Sequence, residues 1–320
     1  MPETMQVVVG LGDQVHKQHL ARMQEAAPGA RFIHETDERE QLKVAPETDV
    51  FIGWPADDFL AAAAKLRWIQ LASAGVDRYV RDARLRERGI LLTNASGVFG
   101  PCIAEHVMGL LLGFSRGIAN CVRRQLEHKW GHPGGVFELV GKTLLVVGLG
   151  DIGREVAVRA GAFGMNVIGV KRSMGPKPPQ VQSLHTIDEL DALLPKADVV
   201  VISLPLTAGT RGLFDRKRLG RLKKSAIIIN IGRGAIIDEA AMIERLQAGE
   251  LGGAGLDVFE KEPLPPESPL WDLPNVIVSP HLSGRTPAYR ERFAEIVCDN
   301  LRRFVSGEPM RNVVDWERGY

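Results

Sequence analysis

Short apolar runs alternate with charged, helix-period segments along most of the chain, and this alternation restricts the possible folds more than any other feature. A first series of runs, rich in β-branched residues, lies at residues 5–10, 30–35, 48–53, 66–71 and 89–94, and a second extends from residue 142 to residue 280. Strands that alternate with helices form parallel sheets with crossover helices. The sequence therefore predicts an α/β fold.

A long helical stretch separates the two series, at residues 100–130, and Pro101 suits the first turn of a helix. The pattern predicts one unit over residues 1–97 and a second over residues 98–285. The remaining residues contain a further predicted helix at 287–307. A chain of 320 residues, 45% of them hydrophobic, is long enough for two such domains.

The charge and cysteine content argue against several classes of protein. The formal net charge is only +1, and the basic stretch at residues 216–224 lacks interleaved aromatic residues, so we expect a solvated helix face there and no nucleic-acid or membrane partner. The three cysteines are isolated in sequence, which argues against a disulfide framework or a metal site. With no basic signal segment at the start, the expected location is cytoplasmic.

The hexapeptide VVGLGD occurs twice, at residues 8–13 and 146–151. A turn that binds pyrophosphate needs small residues at three positions, for the tight turn, for close approach of the phosphate and for helix–strand packing. The second copy has Gly148, Gly150 and Gly153, whereas the first has Val15 in the third position. We therefore expect a dinucleotide at the second copy and an ordinary strand-to-helix turn at the first.

The strand after the second copy ends in Lys171, Arg172 and Ser173, where an acidic residue would favour NAD. Two cations and a hydroxyl suit the 2′-phosphate of NADP instead. The sequence therefore predicts that NADP(H) is preferred and that NAD(H) is possible. A surface Lys–Arg pair with no ligand is the alternative interpretation.

Three later segments each place polar groups after a predicted strand: Arg233 in NIGRGAIIDE, then Asp257, Glu260 and Glu262 in GLDVFEKEPLP, and His281 in NVIVSPHLSG. Ligands bind at the carboxyl edge of a parallel sheet, where a guanidinium can hold a carboxylate through two hydrogen bonds. Hydride delivery to a ketone leaves an oxyanion, and a histidine is a suitable proton donor.

These motifs, together with GLGDIGREVA, LWDLPNVIVSPHLSG and the terminal GEPMRNVVD, resemble the D-isomer-specific 2-hydroxyacid dehydrogenases over nearly the whole chain. The resemblance implies two Rossmann-like parallel-sheet domains with the active-site cleft between them. It implies a discontinuous, flavodoxin-like substrate-binding (catalytic) domain from residues 1–97 and 286–320. Residues 98–285 would form the dinucleotide-binding Rossmann domain.

The resemblance also implies roles for individual residues. Arg233 would bind the substrate carboxylate, His281 would act as the general acid or base, and Glu262 would pair with His281; the spacing of Glu260 does not match the family. Asp257 is also expected to influence this pair. The implied cofactor-binding residues are Gly148, Gly150, Asp151, Ile152, Gly153, Lys171, Arg172, Ser173 and Asp257.

The segment LASAGVDRY, at residues 71–79, matches the family loop whose amides hold the substrate carboxylate, so Ala74 and Gly75 are candidates. A mere tight turn at Gly75 is equally compatible with the sequence. The sequence does not indicate how the side chains of Trp54, Phe99 and Trp130 are oriented. Residues 101–130 resemble the dimerisation element of the family, which implies a homodimer.

The expected function is NAD(P)H-dependent reduction of a small 2-oxoacid, such as glyoxylate or hydroxypyruvate, to the D-2-hydroxyacid. Two alternatives stay open. The substrate could be a larger 2-oxoacid such as phenylpyruvate, or the chain could be a non-catalytic, NAD(P)-sensing or corepressor-like binding protein of the same fold.

Overall fold

The computed structural model describes residues 4–132 and 134–320. The chain divides into two compact units, one made of residues 1–99 and 286–320 and the other of residues 100–285. In both units, as far as the chain is described, every pair of neighbouring strands within the sheet is parallel. The prediction of two Rossmann-like parallel sheets is confirmed.

The described residues of the first unit form a five-stranded sheet: β1 (Gln6–Gly10), β2 (Arg31–His34), β3 (Val50–Gly53), β4 (Trp68–Gln70) and β5 (Leu91–Thr93). The strand order β2-β1-β3-β4-β5 is that of flavodoxin. The central strands are buried on both faces, which explains why they are continuous apolar runs in the sequence.

The helices of the first unit are α1 (Lys17–Ala26), α2 (Glu38–Val44), α3 (Asp57–Ala62), α4 (Ala83–Glu87) and α11 (Tyr289–Ser306). Helix α11 packs against α1, and its buried residues Phe293, Val297 and Leu301 are spaced by four and lie on one face. The amide of Asn300 donates to Gln70 Oε1 at 3.0 Å. These contacts make the C-terminal residues part of the first unit.

The described residues of the second unit form a seven-stranded sheet: β6 (Thr143–Val147), β7 (Asn166–Lys171), β8 (Ser183–Thr186), β9 (Val199–Ile202), β10 (Ile227–Asn230), β11 (Gly253–Leu256) and β12 (Val276–Val278). Their order, β12-β11-β10-β9-β6-β7-β8, extends the dinucleotide-binding pattern. Strands β7 and β8 are added on one side of β6, and the strands from β9 onward are added on its other side. The sequence pattern did not predict β8, because only Leu184 in this edge strand is buried.

The other helices are α5 (Gly100–Ser115), α6 (Ile118–Leu126), α7 (Asp151–Ala162), α8 (Leu190–Leu193), α9 (Arg216–Leu219) and α10 (Glu239–Gln247). The helical stretch at residues 100–130 is therefore not one continuous helix, and that prediction is wrong. It breaks at Gly117, whose φ of +67° is left-handed, and the two helices meet at a bend of 69°.

Helix α5 is apolar because it packs inside its own unit, against α7, β10 and β11. Most of its apolar side chains are thus already covered within the chain. Within residues 4–132 and 134–320, no one helix has both the length and the apolar composition to cross a bilayer. In the same described part of the chain, only the sharply bent pair of α5 and α6 meets those two criteria together.

The basic stretch at residues 216–224 forms only one short helix, and several of its cations are paired with carboxylates. Arg218 lies 2.7 Å from Asp191, Lys223 lies 2.8 Å from Asp198, and Arg216 pairs with Glu244. The solvated helix face predicted over residues 216–224 is therefore only partly right, because the helix spans Arg216–Leu219 alone.

Candidate active site

The second VVGLGD copy forms a tight turn between β6 and α7. At Gly148, φ is +106°, and a Cβ there would lie 2.6 Å from the carbonyl oxygen of Ser203. A Cβ on Gly153 would overlap the carbonyl oxygen of Gly148, whereas Gly150 faces open space. Helix α7 begins directly after Gly150, so its first amides point at this open space. The turn therefore has the shape that a pyrophosphate requires.

The first copy differs at its third position and in where its helix begins. A Cβ on Gly10 would lie 2.6 Å from the ring of Phe51 and 3.0 Å from the side-chain nitrogen of Gln41, so the protein's own core occupies that space. The buried side chain of Val15 follows, and α1 begins only at Lys17. No helix start lies directly behind the glycines, as one does in the second copy.

The other predicted cofactor-binding residues lie around the second turn. Asp151 and Ile152 open α7, and the carboxylate of Asp151 lies against Gly100 at the start of α5. Lys171 ends β7, and Arg172 and Ser173 follow as exposed residues. Among the described residues, neither Lys171 nor Arg172 forms an ion pair or a side-chain hydrogen bond.

Arg233 is held by a loop between β10 and a 3-10 turn at Gly234–Ile236. The buried carboxamide of Asn230 donates to the Arg233 carbonyl at 3.0 Å and accepts from the Gly232 amide at 3.1 Å. A Cβ on Gly232 would lie 2.7 Å from the Leu204 carbonyl oxygen, and one on Gly234 would overlap Phe259. The two glycines thus let the loop pass closely between the ends of neighbouring strands.

Glu262 and His281 are brought together by the loops after β11 and β12. Their Oε2 and Nδ1 atoms are 2.7 Å apart, and Glu262 Oε1 accepts from the Phe259 amide at 3.0 Å. An ionised carboxylate fixes the proton of the imidazole on Nδ1, which leaves Nε2 for another partner. Among the described residues, no protein group is hydrogen-bonded to Nε2.

Glu260, the rival candidate, has a different neighbour. Its backbone amide donates to Glu239 Oε2 at 3.0 Å. Burial raises the pKa of the Glu239 carboxyl, and the nearby Glu260 carboxylate raises it further. The carboxylate beside His281 is therefore that of Glu262.

His281 has a φ of +50°, a left-handed conformation that costs a residue other than glycine about 1–3 kcal/mol. Asp257, at the end of β11, holds this turn. Its carbonyl accepts from the His281 amide at 2.9 Å, and its carboxylate accepts from the amides of Leu282 and Ser283 at 3.0 and 3.1 Å. Asp257 is fully buried and supports His281; its role as a cofactor-binding residue stays a prediction.

The loop that contains Ala74 and Gly75 lies in the first unit, after β4. Protein donors bind the carbonyls of this loop: Tyr289 binds that of Ala72, Asn94 that of Ala74, and the Ser73 hydroxyl that of Gly75, at 2.8–3.0 Å. Among the described residues, no acceptor is bound to the amides of Ala74 and Gly75. Backbone donors left without a protein acceptor are suited to bind an anion.

Trp54, Phe99 and Trp130, whose orientations the sequence does not predict, lie in different environments. The indole of Trp54 donates to the Ser73 hydroxyl at 3.3 Å, which places it beside the loop just described. Phe99 stacks on Tyr289, with ring centroids 5.6 Å apart. Trp130 is fully exposed.

Three residues near the loops that contain Arg233 and His281 were not identified from the sequence. Asn230 ends an apolar strand, Ser279 precedes Pro280, and His106 lies within the apolar helix α5. A polar residue next to a buried strand is a weak signal for a structural hydrogen bond, because buried polar groups are nearly always paired. Nothing in the local pattern shows which partner each residue has.

Comparison with known proteins identifies the family. Residues 108–283 match the model of the D-isomer-specific 2-hydroxyacid dehydrogenase NAD-binding domain. The chain is similar to glyoxylate/hydroxypyruvate reductase B of Pectobacterium carotovorum, with 40% identity over 81% of this chain and 82% of that protein. It is also similar to D-3-phosphoglycerate dehydrogenase of Methanocaldococcus jannaschii, with 37% identity over 81% of this chain. That match spans about half of the archaeal enzyme, 49% of its length.

A solved structure shows the same similarity across both units. The NADPH-dependent glyoxylate/hydroxypyruvate reductase of Sinorhizobium meliloti, crystallised with NADP and sulfate, matches with a TM-score of 0.84 and 32% identity. The match covers 99% of this chain and 100% of that one. The chain belongs to the D-isomer-specific 2-hydroxyacid dehydrogenases, a family of NAD(P)-dependent oxidoreductases.

Proposed function

We propose that this protein reduces a small 2-oxoacid to the D-2-hydroxyacid with NADPH, and that glyoxylate and hydroxypyruvate are its substrate class. The observation that carries this proposal is the Glu262–His281 pair, which lies at the same sheet edge as the Arg233 loop and leaves His281 Nε2 without a protein partner among the described residues. The reductases among the relatives support the choice of substrate.

In this proposal His281 is the proton donor. Reduction of the 2-oxo carbon leaves a negative charge on its oxygen, and Nε2–H of the imidazolium protonates that oxygen. Glu262 stabilises the imidazolium and keeps the ring oriented through Nδ1. Asp257 maintains the backbone turn that presents the ring.

Two groups bind the substrate carboxylate in the proposal. Arg233 supplies a guanidinium, which can form two parallel hydrogen bonds with the two oxygens. The amides of Ala74 and Gly75 supply further donors, because the carbonyls of their loop are already bound within the protein. Both groups would also stabilise the charge that develops on the neighbouring oxygen.

The cofactor would bind at the second glycine turn. Gly148, Gly150 and Gly153 form a cradle that a side chain would close at two of its three positions, and the first amides of α7 would meet the pyrophosphate. Lys171, Arg172 and Ser173 would bind the 2′-phosphate, which favours NADP(H) over NAD(H). When bound, the reduced nicotinamide supplies the hydride for the reaction.

We also propose a homodimer whose contact includes helix α6. Its residues Ile118, Val122 and Leu126 are spaced by four, so they form one stripe, and all three are exposed. The exposed Trp130 follows them in the chain. Light scattering at micromolar concentration should give twice the mass of the chain, and Val122→Glu together with Leu126→Glu should shift it to the monomer.

A panel of 2-oxoacids tests the function. Glyoxylate, hydroxypyruvate, phenylpyruvate and 3-phosphohydroxypyruvate are each assayed with NADPH and with NADH, using wild type and His281→Ala. We expect turnover of the small 2-oxoacids, a higher kcat/KM with NADPH, and loss of turnover in the variant with NADPH binding retained. Preferred turnover of phenylpyruvate would instead assign a larger substrate. A wild-type protein that binds NADPH but reduces none of the four would favour a sensor.

A further inference from the structure

Helix α5 and strand β11 pack against each other through two rows of residues, one on each element, whose members pair one to one. The helix row is spaced by four and the strand row by two, and the rows form three pairs: Phe114 with Gly253, Leu110 with Gly255, and His106 with Asp257. A Cβ on Gly253 would lie 2.9 Å from the Phe114 ring, and one on Gly255 would lie 3.3 Å from Leu110 Cβ. The helix therefore lies very close to the strand.

The two rows stay in step because their rises agree. Four helical residues advance about 6 Å, and two strand residues advance about 6.6 Å. Glycine at the first two strand positions makes room for the apolar side chains of the helix. The third pair is polar, and it lies where β11 ends and the loop of the candidate site begins.

A chain of hydrogen bonds connects this polar pair. Ser279 Oγ donates to Asp257 Oδ1 at 2.7 Å, and His106 Nε2 lies 2.8 Å from Ser279 Oγ. Because the serine proton is directed at the carboxylate, Nε2 of His106 must be the donor to the hydroxyl oxygen. His106 Nε2 also lies 3.7 Å from Asp257 Oδ1.

The same carboxylate shapes the turn at His281. Asp257 accepts from the amides of Leu282 and Ser283 with its two carboxylate oxygens, and from the His281 amide with its backbone carbonyl. The direction of the Asp257 side chain therefore determines where the amides of Leu282 and Ser283, the two residues after His281, point. His281, at φ +50°, depends on these bonds to keep a backbone conformation that most residues avoid.

We propose that His106 is a positioning residue for the reaction. Acting from helix α5 through Ser279, it fixes the carboxylate of Asp257 and thereby the left-handed turn that presents His281. This inference rests on the proposed role of His281 as the proton donor. Among the described residues, His106 forms no hydrogen bond or ion pair with the Glu262–His281 pair or with the glycine turn.

Kinetics of three single variants and one double variant test the proposal. In His106→Phe and in Ser279→Ala the chain of donors is broken, and we expect kcat to fall about 3- to 10-fold while KM for NADPH is unchanged. His106→Gln keeps an N–H donor at nearly the same place and should restore most of kcat. The double variant that combines His106→Phe with Ser279→Ala should be no slower than either single variant, because both changes break one chain.

Hydrogen exchange gives a second readout that does not need activity. The amides of Leu282 and Ser283 should exchange faster in His106→Phe and in Ser279→Ala than in wild type, and His106→Gln should resemble wild type. Ser115→Ala is a matched control on the same helix, because the Ser115 hydroxyl is buried and has no hydrogen-bond partner among the described residues. We expect it to change neither exchange nor kcat.

The outcomes separate this inference from the proposed function. If wild type reduces no 2-oxoacid, the proposed function fails, and exchange at residues 282 and 283 still tests the link from His106 to the turn. Unchanged exchange and unchanged kcat in Ser279→Ala would overturn the inference, even if His106→Phe fails to fold. So would a His106→Gln variant that is as slow as His106→Phe.

Discussion

The imidazole Nδ1 of His281 and the carboxylate Oε2 of Glu262 are 2.7 Å apart, although 19 positions separate the two residues in the chain. Their loops follow β12 and β11, which are neighbours in the sheet. The pairing orients the ring and leaves Nε2 without a hydrogen-bond partner among the described residues.

Glu262→Gln should lower kcat about 100-fold, because a neutral amide no longer stabilises the imidazolium or fixes its tautomer. Steady-state kinetics with the best 2-oxoacid of the panel measure this. Glu260→Gln is the matched control, since the Glu260 carboxylate is not the partner of His281, and it should stay within about 3-fold of wild type. Equal losses in the two variants would contradict the assignment.

Arg233→Lys should raise KM for the 2-oxoacid about 10- to 100-fold, because an ammonium cannot form the two parallel bonds that a guanidinium makes to a carboxylate. The dissociation constant for NADPH, measured by fluorescence titration, should not change. A variant with wild-type KM would exclude Arg233 as the carboxylate-binding residue.

Gly153→Ala should weaken NADPH binding at least about 10-fold, since the added Cβ overlaps the Gly148 carbonyl and pushes α7 away from β6. Val15→Gly is the matched change in the other VVGLGD copy, and it should leave NADPH affinity unchanged. Calorimetric titration of both variants measures the difference, with circular dichroism to verify that each is folded. Weaker binding in Val15→Gly would indicate that the first turn also holds the dinucleotide.

Replacing Lys171 and Arg172 together by alanine should raise KM for NADPH about 10- to 100-fold and change KM for NADH little, because only NADPH has the 2′-phosphate. Rates with both cofactors at fixed substrate measure the change. Parallel losses for the two cofactors would show that these cations do not recognise the phosphate.

Tyr289→Phe should raise KM for the 2-oxoacid a few-fold, about 1 kcal/mol, because it removes the donor to the Ala72 carbonyl in the Ala74–Gly75 loop.

Burial raises the pKa of Tyr289 well above its usual range and that of Tyr79 to about 12. A folded-state pKa above the unfolded value of about 10 makes the unfolded chain lose its tyrosine protons first, so stability falls as pH rises from about 10 through the folded value.

Ultraviolet titration tests that pH dependence. Tyr79 and Tyr289 should contribute no tyrosinate absorbance at about pH 10.5 in the folded protein, and their absorbance should appear on unfolding in guanidinium at the same pH. Full ionisation of all three tyrosines in the folded protein at that pH would contradict their burial.

Much of the fold could be predicted from local sequence pattern, because continuous apolar runs indicate buried strands and glycines indicate tight turns. The second copy of VVGLGD was predicted to be the dinucleotide-binding turn because it has glycine at all three positions, and the third, Gly153, contacts the strand of the same turn, whereas the first copy has Val15 there. Where the pattern was weak the prediction failed: β8 is a polar edge strand, and Gly117 breaks the expected long helix through a left-handed φ that the sequence only permits.

The sequence by itself determined the parallel-sheet architecture, the glycine turn and the residue types at three strand ends, because each depends on neighbours close in the chain. Only the tertiary structure decided that Asp257 is enclosed by donors and that His106 reaches Ser279 across helix α5 and strand β11, and it gave the distance between His281 and Glu262, a pairing that the family resemblance had implied. These contacts join residues 19 to 173 positions apart. Side-chain direction and strand order fix them, and no local pattern encodes either.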